Sequence, residues 1–198
     1  MSVLTLADPR VKTLIRRHPL LKTNNIIGFG EFCFVFRTQQ PDRVLKLIAD
    51  PYHTRYLTTK EIARSVFRPK VHRDFGIVGH TLAGVPIRLM EIERLYRLKA
   101  CTGSYIIAKS IIRFYNTRWA SLLPVTKRQL PEASPALLQF MRKLNAYKKA
   151  TRSSFDLNLQ NFMQRSNGRL VFNDPFFDKK ALSARTYSCA MRNPALRG

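Results

Sequence analysis

Acidic side chains are scarce in this sequence. Twelve Asp and Glu face 35 Lys and Arg, a formal charge of +23 over 198 residues. A field of that sign draws nucleic acid or an acidic protein surface. Cysteine is scarce too. Cys33, Cys101 and Cys189 are odd in number and far apart, which argues against a disulfide framework and against a zinc knuckle. The four histidines, His18, His53, His72 and His80, form no metal-ligand pair, so each is expected in a structural or exposed role. No apolar run approaches the roughly 18 residues that span a bilayer. The start, MSVLTLADPRVK, has an acid and a proline where a signal peptide needs an unbroken apolar stretch. A soluble intracellular protein is the expectation. There is no zinc-finger or RNP-type motif for sequence-specific reading of nucleic acid, and the basic residues are spread along the chain. Hydrophobic residues make up 45%, enough for a packed core.

Residues 1–22 read as a basic amphipathic helix or arm. From Asn25 to Ile48 the texture is β: IIGFGEFCFVFRT, a QQPD turn, then RVLKLI. Residues 54–68 are expected to be helical, with Leu57, Ile62 (or Glu61) and Ser65 bracketing one face. FGIVGHTLAGVPIRLMEIERL reads as two strands around an Ala-Gly turn. A helix is predicted from Ser104 to about Ala120, where Ile107, Ile111, Phe114 and Arg118 follow helical spacing. Leu123 to Pro131 reads as a loop. A second helix begins at Ser134, an N-cap, with Pro135 at the first helical position and Leu137, Leu138, Met141 and Leu144 as its apolar stripe. NFMQR and RLVFN, separated by Ser-Asn-Gly, read as a hairpin. The last twenty residues are basic and irregular. Strands first, then helices, suggest an α+β protein in two lobes: an arm over 1–24, a β-rich lobe over 25–95 and a mainly helical lobe over 96–198.

Three constellations could carry chemistry. Gly28, Phe29 and Gly30, followed by Val35, form a glycine hairpin whose bare backbone can approach phosphate oxygens. It lacks the Gly-Lys-Ser/Thr ending of a Walker loop and the following helix of a Rossmann turn. Taken alone, ordinary turn chemistry explains it. Lys46 stands between aliphatic neighbours, on the same face as Val44 and Ile48. It either snorkels from an edge strand or holds phosphates, steadied by a carboxylate. Glu61 is the favoured partner, with Glu91 and Glu93 as competitors on the later strand. The third constellation is SSFDLNLQNFMQRSNGRLVFNDPFFD. Asp156 could orient a hydroxyl and accept its proton. Asn161 and Asp174 offer oxygens of the kind magnesium prefers. Each taken singly is an ordinary turn-stabilising side chain; the trio behind a glycine hairpin and Lys46 is harder to dismiss.

In this order the elements resemble the protein kinase family. Gly28-Phe-Gly30-Glu-Phe-Cys33-Phe-Val35 is similar to G-x-G-x-x-G-x-V, with cysteine at the third glycine. Lys46 matches the lysine of V-A-I-K. Asp156, Leu157 and Asn161 match H-R-D-L-x-x-x-N, and Asp174-Pro175-Phe176 stands where D-F-G would be. The likeness covers about residues 25–178. SSFD, N-F-M, a hairpin ending in D-P and P-D-R-V-L-K are most similar to the early serine/threonine kinases of T-seven-type short-tailed bacteriophages. The resemblance implies a two-lobed kinase-like fold with a reduced second lobe. It also implies ATP and Mg2+ as cofactors, with Lys46, steadied by Glu61, on the phosphates, the 28–33 backbone covering them, and adenine near Met90 to Glu93. Asn161 and Asp174 would lie on the metal, and Asp156 on the acceptor. Its expected setting is the cytoplasm of an infected bacterium, its partners host proteins such as RNA polymerase or an RNA-processing enzyme. Three departures qualify the likeness. Phe155 replaces the catalytic-loop arginine, the D-F-G glycine is absent, and no A-P-E segment follows Asp174, so a reduced peptide platform is expected. Two other readings stay open. One is a kinase-like host-takeover protein without catalysis that binds RNA polymerase, another nucleic-acid enzyme or nucleic acid through its basic surface. The other is a small-molecule kinase of the antibiotic-phosphotransferase type, disfavoured by the poverty of acids.

Overall fold

The computed structural model describes residues 4–21, 26–116, 126, 128 and 130–177. The predicted helix beyond Asn116, most of the Leu123–Pro131 loop and the basic tail lie outside the described residues. What is described is mixed α+β, the class expected.

A five-stranded antiparallel sheet holds the first half together, in the order β1-β2-β3-β5-β4. Its strands are β1 (Ile26–Gly30), β2 (Cys33–Arg37), β3 (Arg43–Ile48), β4 (Val71–His80) and β5 (Pro86–Glu93). Both faces of the central strand are covered, which is why RVLKLI is nearly continuous in apolar residues. Leu45 and Leu47 face one side with Phe34, Phe36, Ile87 and Leu89, and α1 (Pro9–Arg17) covers them through Val11. A Cβ at Gly79 would stand 3.2 Å from Leu14, so the missing side chain lets α1 lie against β4. Val44, Ile48, Met90 and Ile92 face the other side and merge with the helices into one core.

Three helices start on the same device. Asp8-Pro9, Asp50-Pro51 and Ser134-Pro135 each place a side-chain oxygen at the N-cap and proline in the first turn. They open α1, α2 (Pro51–Thr58) and α5 (Pro135–Thr151). The helix expected over 54–68 is corrected by two observations. It begins earlier, at Pro51, and it breaks at Thr59, whose hydroxyl donates to Arg55 O at 2.7 Å while its ψ is 122°. A β-branched hydroxyl bonding back to the backbone competes with helix continuation. A single turn, α3 (Lys60–Ala63), follows. The buried Arg68 guanidinium then caps the end of α2, donating to the carbonyls of Tyr56 and Leu57.

The second half is built from α4 (Gly103–Asn116), α5 and short strands: β6 (Tyr96–Arg97), β7 (Ser154–Phe155), β8 (Phe162–Gln164), β9 (Leu170–Phe172) and β10 (Phe176–Phe177). β8 and β9 form the predicted hairpin around Ser-Asn-Gly, with Gly168 at φ +80°. β7 pairs with β10, Phe155 opposite Phe176. Tyr56 is fully buried, and its hydroxyl donates to Phe172 O at 2.8 Å, fastening α2 to the second half. Among the described residues no helix is long and apolar enough to cross a membrane.

Tyr56→Phe removes that hydrogen bond and leaves a buried carbonyl without its donor. The expected cost is about 1–2 kcal/mol, read as a lower urea midpoint with unchanged m-value. An unchanged midpoint would mean the bond contributes nothing to joining the halves.

Candidate functional site

Lys46 sits on the central strand, not on an edge, and is only 3% exposed. A snorkelling role is therefore ruled out. The register puts Val35 and Met90 directly beside it and Gly28 beyond Val35, so these four positions cross one face of the sheet in a row. A Cβ on Gly28 would meet only Val35, at an ordinary 3.6 Å, and neither Gly28 nor Gly30 has positive φ. Packing does not require glycine at either position. What the two glycines leave is bare backbone on the Lys46 face, beside a Phe29 ring that is 84% exposed.

The expected partner of Lys46 is corrected. Glu61 is exposed on α3, and the Lys46 amine instead lies 3.2 Å from His53 Nε2. An ammonium can only donate, so Nε2 accepts and the imidazole proton sits on Nδ1. Nδ1 in turn stands 2.9 Å from Asp174 Oδ1. His53 is thus no bystander; it bridges the lysine of the sheet to the carboxylate after β9. Asp50, which caps α2 through Tyr52 N and His53 N, lies in the same buried neighbourhood. Burial, reinforced by the nearby Asp174 charge, holds its carboxyl above the usual range. Burial likewise raises the Cys33 thiol, offset in part by the Lys46 charge.

Glu91 and Glu93 are engaged elsewhere. Glu91 pairs opposite Leu45, on the face away from Lys46, and binds Arg43 at 3.1 Å. Glu93 binds Arg165 at 2.6 Å and accepts from Lys70 N. The β5 backbone from Met90 to Glu93 is laddered to β3.

The trio in the second half is drawn together by the backbone. β7 leads into Asp156 and Asp174 leads into β10, so the β7–β10 pairing brings the two aspartates to one end. Asp156 N donates to Pro175 O at 2.9 Å. Asn161 Nδ2 donates to Asp156 O at 2.8 Å, and Asn161 O accepts from Asn173 N at 2.8 Å. Asn158 caps the 3-10 turn Leu159–Asn161 and donates to Asp156 Oδ1 at 3.0 Å. Phe155 stacks on Phe176 at 5.4 Å, an aromatic contact that anchors the loop there.

Two of these residues present oxygens of the kind a divalent cation takes. Asp174 Oδ1 is buried and, although His53 Nδ1 lies 2.9 Å away, has no aligned hydrogen-bond donor. Asn161 is held through its amide nitrogen, which leaves its oxygen open. Among the described residues no three His, Cys, Asp or Glu side chains form a metal cage. Two protein oxygens completed by substrate phosphates and water are how magnesium is commonly held. No family model matches the chain, and no curated protein or solved structure matches it.

If His53 is the acceptor for Lys46, the two are energetically coupled. A double-mutant cycle with Lys46→Met and His53→Phe is expected to give a coupling of about 1–3 kcal/mol in urea denaturation, while Glu61→Gln stays within about 0.5 kcal/mol of the parent. Additive single effects would contradict the pairing.

Proposed function

We propose that this chain is an ATP-dependent protein serine/threonine kinase with a reduced kinase-like fold, made by a bacteriophage to modify host proteins early in infection. One observation carries the reading. Lys46, from the central strand, and Asp174, from 128 residues later, converge on His53, while backbone bonds hold Asp156 and Asn161 against Asp174. The strand order with helices inserted between β3 and β4, and the bare glycine backbone beside Val35, support a nucleotide-holding first half.

In this reading Lys46 neutralises phosphate charge, and the 28–33 backbone lies over the phosphates. Asn161 and Asp174 hold magnesium, which, when bound, neutralises charge that develops on the transferred group. Asp156 orients the acceptor hydroxyl and takes its proton, with its loop pinned by Pro175 O and Asn161. Catalysis would come mainly from positioning and fixed charge. Host RNA polymerase and RNA-processing enzymes are the proposed targets, and the bacterial cytoplasm the proposed setting.

A second reading has its own observation. Lys46 is 3% exposed beneath His53, so in this arrangement the amine does not reach solvent-borne phosphates. A host-takeover protein that keeps the scaffold, and acts by binding through its +23 charge, would need no access to Lys46.

Incubation with labelled ATP and magnesium, with and without bacterial lysate, separates the two. Label is expected on the chain itself or on a host protein, reduced by roughly 10²–10⁴-fold in Asp156→Ala. Label that persists in Asp156→Ala contradicts the assigned role. No label in the parent supports the binding protein.

A further inference from the structure

We propose that the groove between α4 and residues 157–160 is a docking surface for an acidic segment of the protein substrate. The groove has a volume of about 1060 Å³, more than the roughly 300–1,000 Å³ of a typical small-molecule pocket. Lys109 and Arg113 line it one helical turn apart, with Ile112, Leu157 and Leu159 as apolar surface. Asn158 lines it too and binds the Asp156 carboxylate directly. The groove therefore ends one side chain from the residue assigned to the acceptor hydroxyl.

Charge selects the occupant. Among the described residues no carboxylate lines the groove. Elsewhere in the molecule Arg43, Arg88 and Arg165 are each matched by an acid. Among the described residues Lys109 and Arg113 have no such match; Lys109 lies only over the Tyr105 ring, at 5.5 Å. Two unmatched cations over an apolar floor suit a peptide carrying Glu or Asp beside a hydrophobic residue. They suit nucleic acid less well. Single strands are held by a continuous basic track with aromatic rings for the bases to stack on, and among the described residues no aromatic side chain lines this groove.

The inference rests on the kinase reading for its link to catalysis, but the surface can be tested without turnover. The probe is a fluorescent peptide with one serine flanked by glutamates, titrated with the full chain and followed by anisotropy. Its controls are the same peptide with lysine for glutamate and a single-stranded oligonucleotide of equal charge. The acidic peptide is expected to bind, and to bind Asp156→Ala equally well. Lys109→Glu with Arg113→Glu is expected to weaken it at least about tenfold, since like charges now face each other; Lys109→Gln with Arg113→Gln, checked for unchanged melting, should weaken it less. If the parent shows no phosphotransfer but binding still depends on Lys109 and Arg113, the kinase reading fails and the docking surface stands. Unchanged binding in both double variants, no binding of the acidic peptide, or tighter binding of the oligonucleotide overturns the proposal.

Discussion

A buried amine on the central strand constrains the rest of this molecule. An ammonium removed from water costs several kcal/mol unless it is partnered. Lys46 is partnered by an imidazole, and the imidazole by a carboxylate, across three separate parts of the chain. Each link depends on local structure nearby. His53 reaches Lys46 because Asp50-Pro51 starts α2 two residues after β3 ends. Asp174 reaches His53 because the β8–β9 hairpin and the β7–β10 pair deliver it there. The hydroxyl of Tyr56, one turn along α2 from His53, fixes the helix to the Phe172 carbonyl.

The use of acids follows the same logic. With only twelve available, five have structural tasks. Asp8 and Asp50 cap helices, Asp74 takes Arg88, and Glu91 and Glu93 take Arg43 and Arg165. Asp174 differs. It precedes a proline, as Asp8 and Asp50 do, yet no helix begins at Pro175, and one of its oxygens is buried without an aligned donor. A carboxylate kept under-satisfied in that way is the feature from which its proposed role toward a metal is argued.

Much of this was legible in the residues. The glycine hairpin, the turn at QQPD, the alternation that places Lys46 with Val44 and Ile48, and the Ser-Asn-Gly hairpin are all local signals with local causes. Asp156, Asn161 and Asp174 stood out because acids are scarce and these are spaced around short apolar runs. The partner of Lys46 was not legible as a motif, because a histidine replaces the expected carboxylate. A signal did exist: Asp50-Pro51 is the same helix start as Ser134-Pro135, and it moves the helix to Pro51 and His53 into its first turn. β7 and β10, two residues each, have no period to read. Nor does sequence alone show that Glu91 points to the face opposite Lys46, since that depends on the register of β5 against β3.

The most direct measurement is calorimetric titration of ATP into the protein with magnesium, with magnesium chelated, and into Asp174→Asn and Lys46→Met. A site in which Lys46 meets phosphates and Asp174 meets the metal predicts binding that needs magnesium in the parent and is lost or strongly weakened in both variants. Equal binding with and without magnesium, or in Asp174→Asn, would contradict it.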